Sequence, residues 1–127
     1  MNKKVTLGFR IALGLMLVLF GANKFLNFMP MPEPAPEVFA AFGALMTLKF
    51  ILPTVGIIEV LVGASLLSNK FTSVALLVLV PISYSIVAFH LAFDPAGVGG
   101  AAFVAILNVV LLLSKKEHFA QILNPNN

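Results

Sequence analysis

Lys24 stands in a run apolar apart from Arg10 and Asn23, Glu59 in an otherwise apolar run, and His90 lies near the end of a third, with Asp94 four residues beyond it. An isolated charge at the centre of a membrane helix costs about 2.5–3.5 kcal/mol on insertion scales. Residues of these types in such surroundings are therefore paired, hydrated or engaged with a ligand. Lys24 with Glu59 offers an ion pair or a proton-handling couple, and the structural alternative is a pair that only fixes helix register. Tyr84, Ser83, Ser85 and Asn108 lie at a depth similar to Glu59 and supply neutral hydrogen-bonding groups. Their alternative role is adhesion between helices. Arg10 and Asp94 complete the set as structural polar residues.

Other chemistries are excluded or unsupported. The chain has no Cys, which removes disulfides, thiol nucleophiles, Cys-bound metals and iron–sulfur clusters. No metal site is expected, because the second histidine, His118, falls at the opposite end from His90. The string Gly97-Val98-Gly99-Gly100-Ala101-Ala102 matches a dinucleotide-binding pattern, but that pattern requires a strand before it and a helix after it. No strand is expected here, so the string reads as a turn opening a helix. The net charge of +3 is scattered over the ends of apolar runs, and no nucleic-acid partner is expected.

The elements that must position these residues follow from composition. Of 127 residues, 60% are hydrophobic and 10% charged, and the mean hydropathy is +1.04. A water-soluble domain would lack polar residues to cover its surface. The length suits a single domain. Four runs approach the roughly 20 apolar residues that cross a bilayer: 5–28, 50–68, 71–93 and 97–114. None alternates with a period of two, which excludes a membrane β-barrel. Lys3 and Lys4 before the first run resemble a secretory signal, but cleavage after Ala22 would put Phe20 where a small residue is needed, so the run is read as a span.

Between the first two spans, Pro30, Pro32, Pro34 and Pro36 predict an extended segment. Residues 37–48 follow with Val38, Phe39, Phe42, Leu45 and Met46 at helical spacing, which predicts a short amphipathic helix at the membrane interface, placed as a lid over the outer mouth of the bundle. The tail from Lys115 predicts one helical turn around Phe119 and Ile122. The fold expected is an all-α integral membrane four-helix bundle with this interfacial helix between the first and second spans.

Lys3, Lys4, Arg10, Lys70, Lys115 and Lys116 would lie on one side of the membrane, against Lys24 and Lys49 on the other. The positive-inside rule then makes the first side cytoplasmic, with both termini inside. Gly14 and Gly21 share a helix face with Arg10 and Lys24, as Gly56 and Gly63 do with Glu59, so the ionisable residues are expected on the packing faces. Helical side chains lean toward their own N-terminus. Lys24 therefore leans inward from the outer boundary, while Glu59, on a helix of opposite direction, leans outward to meet it.

Arg10-x3-Gly14-x5-Phe20-Gly21-x2-Lys24-Phe25, the segment LPTVGIIEVLVGASLL and the segment PISYSIVAFH resemble the first three helices of the DoxX family of small membrane proteins. The resemblance spans nearly the whole chain and implies a four-helix protein of the bacterial inner membrane. Some members are associated with quinone-linked sulfur oxidation or other redox systems. No catalytic residues carry over. The function expected is binding of a small lipophilic molecule, a quinone or a lipid, by Lys24, Glu59, His90, Tyr84 and Asn108 in the outer half of the bundle. Phe20, Phe25 and Phe89 would line its apolar part. The partners expected are the lipid bilayer and either a membrane redox protein or a second copy of the chain. The alternative is a structural or assembly subunit of a membrane complex.

Overall fold

In the computed structural model, residues 2–28 and 35–126 are described. The first helix, α1, runs Lys3–Leu26. It starts where the Asn2 side chain accepts a hydrogen bond from the Lys4 N–H at 2.8 Å, satisfying one of the donors a helix start leaves over. It stops at Asn27, whose left-handed backbone (φ 49°) cannot continue it. Helix α2, Pro36–Thr47, has proline at its first position, where the missing N–H costs nothing. Helix α3, Ile51–Ser68, carries Pro53 in its first turn for the same reason. The turn to α4 (Thr72–Phe93) places both Asn69 and Phe71 at φ 56°. Asparagine tolerates that region well, whereas a bulky phenylalanine rarely enters it. A 3-10 turn, Pro95–Gly97, leads into α5, Val98–Ser114, and α6, Lys116–Ile122, closes the described chain.

The four long helices match the four expected spans to within two residues at every end, and the interfacial helix starts one residue earlier than its pattern predicts. No strand occurs among the described residues. The expected extended segment at prolines 30, 32 and 34 lies outside the described residues.

Helices α1 and α3 form the tightest pair, and glycines explain why. A Cβ on Gly21 would lie 2.8 Å from the Gly56 carbonyl oxygen, and one on Gly63 would lie 2.8 Å from that of Gly14. The two backbones touch at two levels seven residues apart on each helix, an approach no side chain permits. Leu13, Leu17, Leu66, Leu76, Leu79, Leu107 and Leu111 fill the space among α1, α3, α4 and α5. Leu61, Val74, Ile106 and Leu113 point outward instead. Four helices of this length and apolarity, with apolar residues on both their inner and outer faces, make the chain a multi-pass membrane protein. Helix α2 lies against α3 and α4, with Val38 buried and the Phe42 ring edge-on to Phe89 at 5.4 Å.

Candidate functional site

Lys24 Nζ lies 2.8 Å from Glu59 Oε1. Glu59 is only 2% exposed, while the lysine side chain keeps 26%. The approach has the distance of an ion pair without the alignment of a hydrogen bond. Its geometry follows from the glycine seam. Gly21 opposes Gly56 and Glu59, so Lys24 is attached roughly one turn above the carboxylate's level. Each side chain leans toward its own helix start, and in antiparallel helices those leans converge. The two oppositely charged ends therefore meet beside the seam.

The remaining polar residues form separate clusters. His90 Nδ1 lies 3.3 Å from Asp94 Oδ2 one turn along α4, and it is a buried atom without an aligned hydrogen bond. Gly97 backs this pair: its N–H donates to the Asp94 carbonyl at 3.0 Å, and a Cβ there would meet the Asp94 carboxylate and the imidazole. The Phe89 ring stands edge-on to the imidazole at 5.7 Å. Deeper in the bundle, Ser83 donates to Asn108 Oδ1 and Asn108 Nδ2 donates to the Leu76 carbonyl, both at 3.0 Å, joining α4 to α5. Tyr84 belongs to none of these clusters. One residue beyond buried Ser83, it is turned to the outside of α4 and is 74% exposed, because a step of one residue rotates a helical side chain by about 100°.

Sequence spacing alone missed three contacts. Arg10 donates to the Leu66 carbonyl, near the C-terminal end of α3, where carbonyls lack helical donors and a cation is favoured. Ser73 Oγ lies 2.7 Å from His118 Nδ1, fastening α6 to the start of α4. Gly97 was read only as part of a turn, although a glycine three residues after Asp94 already hinted at a backbone that must pass close to a side chain. Among the described residues, no cluster of His, Asp and Glu could hold a metal ion.

Beside the glycine seam, an apolar groove of about 350 Å³ opens between α1 and α3, lined by Ala22, Phe25, Leu26, Ile57, Val60 and Leu61. Helical spacing puts these residues on one flank of the seam and Lys24 and Glu59 on the other. Phe25 closes the gap between them, since a Cβ on Gly56 would lie 2.8 Å from its ring.

No curated protein and no solved structure matches the chain. The model of the DoxX family matches residues 5–92, which takes in α2, α3 and nearly all of α1 and α4, and with them the glycine seam, the Lys24–Glu59 pair and His90. The chain belongs to the DoxX family.

Proposed function

We propose that this protein binds a small lipophilic molecule with a polar head, a quinone or a lipid, at the outer end of the α1–α3 pair. The observation that carries the proposal is the asymmetry of the ion pair: a carboxylate 2% exposed is held by a lysine whose side chain remains 26% exposed. The ammonium is thus the accessible end of a buried charge couple and can meet a carbonyl or phosphate oxygen without first leaving Glu59. Phe25, which stands between the ion pair and the groove on the far flank of the seam, would be the apolar contact of the same molecule. His90, with its buried Nδ1 beside Asp94, would be a second polar contact. Tyr84 has no place in this site, and Asn108 is engaged by Ser83 and Leu76. A redox role would require an electron-transfer partner in the membrane, with this chain as its accessory.

The proposed setting is the bacterial inner membrane with both termini cytoplasmic. Arg10 against Leu66 and Ser73 against His118 tie the start of α1, the end of α3, the start of α4 and α6 to one end of the bundle, where most of the basic residues gather.

A structural or assembly role is the second reading, and a specific observation favours it. Lys24–Glu59, Arg10–Leu66 and Asn108–Leu76 each bridge two helices, as packing devices would.

Solvent extraction of purified protein, with mass spectrometry of what is released, separates the two. Ligand binding predicts a retained lipophilic molecule whose amount falls in Lys24→Met and His90→Ala, with His90→Ala leaving thermal stability in detergent nearly unchanged. Protein that releases nothing beyond bulk lipid, or variants that retain as much as the parent, would leave the structural role standing.

A further inference from the structure

A second cavity, of about 360 Å³, opens at the opposite end of the bundle from Lys24, where α3 turns into α4 and α5 passes into α6. Its polar wall is Asn69, Thr72, Ser73, Lys115 and His118. Its apolar wall is Phe71 and Val74, which are 80% and 61% exposed. Two distant stretches of the chain meet here because Ser73 Oγ and His118 Nδ1, 2.7 Å apart, hold α6 beside the start of α4.

The hydrogen-bonding groups left over on this wall are mainly donors. Thr72 donates its hydroxyl proton to Asn69 Oδ1 at 3.2 Å, which engages that acceptor and leaves the Asn69 NH₂ as a donor. The Ser73–His118 contact offers a donor whichever way it runs. If the hydroxyl donates to Nδ1, the neutral imidazole keeps its Nε2–H; if Nδ1–H donates, the hydroxyl proton is available instead. Lys115 makes no ion pair among the described residues, so its ammonium adds a third donor and a full charge. No acidic residue is among those lining the cavity. Converging donors and an unpaired cation suit the oxygens of an anion.

Depth in the membrane selects the anion. Helix α3 ends at Ser68, α4 begins at Thr72 and α5 ends at Ser114, so the cavity lies at the boundary where phospholipid phosphates sit. The exposed Phe71 and Val74 then meet acyl chains. A zwitterionic lipid would also bring an ammonium or choline group, and no carboxylate lines the cavity to receive it. We infer that this cavity binds the phosphate of an anionic phospholipid, held by Lys115, the Ser73–His118 pair and Asn69. The site shares no residue with the Lys24–Glu59 pair and does not depend on what that pair binds.

Native mass spectrometry of purified protein in detergent, titrated with phosphatidylglycerol or phosphatidylcholine, tests this. Phosphatidylglycerol should bind about tenfold more tightly, the worth of one hydrogen bond to a charged group. Lys115→Gln should remove that advantage while helicity and the melting temperature without added lipid are kept. Ser73→Ala, which releases His118, should weaken binding by a smaller factor. Lys116→Gln removes the same charge one residue outside the cavity and should change the affinity far less. The Lys115→Gln loss should persist in a Lys24→Met/Glu59→Gln background, which takes the outer site out of the measurement. Inorganic phosphate, added as competitor, should displace no lipid. Equal affinity for the two lipids, equal losses in Lys115→Gln and Lys116→Gln, a loss that vanishes in the outer-site background, or displacement by inorganic phosphate would each overturn the inference.

Discussion

At the scale of single residues, the Lys24–Glu59 pair is unequal, and its inequality can be measured. Lys24→Met strands a carboxylate 2% exposed, whereas Glu59→Gln leaves an ammonium on a flexible stem that is already 26% exposed and can turn toward the outer boundary. Breaking a buried pair from one side costs about 3–5 kcal/mol. Lys24→Met should fall near the lower end of that range, and Glu59→Gln should cost only about 1 kcal/mol, comparable to losing one ordinary polar contact. The double variant should be milder than the sum of the two. Unfolding in mixed micelles, analysed as a double-mutant cycle, checks this, and simple additivity would show that the two charges do not interact.

At the scale of elements, α1 and α3 are held together by the absence of side chains. Gly63→Ala would place a methyl group 2.7 Å from Val18 Cγ2 and 2.8 Å from the Gly14 carbonyl oxygen, so the helices must part. Overpacking of this kind costs about 1–3 kcal/mol. Gly8 is on the same helix as Gly14 but nothing stands within 4 Å of where its Cβ would be. Gly8→Ala should therefore be neutral or stabilising, by up to about 1 kcal/mol from helix propensity. Equal destabilisation by both substitutions in the same unfolding assay would mean that the seam is not what orders the pair. The seam also positions the charges, so Gly63→Ala should weaken the Lys24–Glu59 coupling as well as the fold.

At the scale of the whole molecule, the prediction concerns the direction in which the bundle crosses the membrane. Cysteines placed singly at Ser68, Ala96 and Asn126 occupy the α3–α4 end, the α4–α5 turn and the tail. With both termini cytoplasmic, an impermeant thiol reagent added to intact cells should label only the cysteine at position 96. Labelling at 126 with protection at 96 would invert the topology and move the Lys24 end to the cytoplasm.

The spans were legible in the sequence because bilayer thickness imposes a length and an apolarity that few other segments meet. The start of α2 was legible because prolines 30 to 36 exclude a helix before it. The meeting of Lys24 and Glu59 was also within reach, since the glycine spacing identifies the packing faces and the lean of helical side chains is a local property. What the tertiary structure alone decided is which polar groups share a cluster. Asn108 turns to Ser83 and Leu76, and Tyr84 faces outward, whereas the pairing of His90 with Asp94 one turn along the same helix was already legible in their spacing. Depth is additive along a helix and can be counted from the sequence. The rotation of each helix about its axis depends on how all the others pack, and in a chain apolar on every face, hydropathy carries almost no signal about which side turns inward.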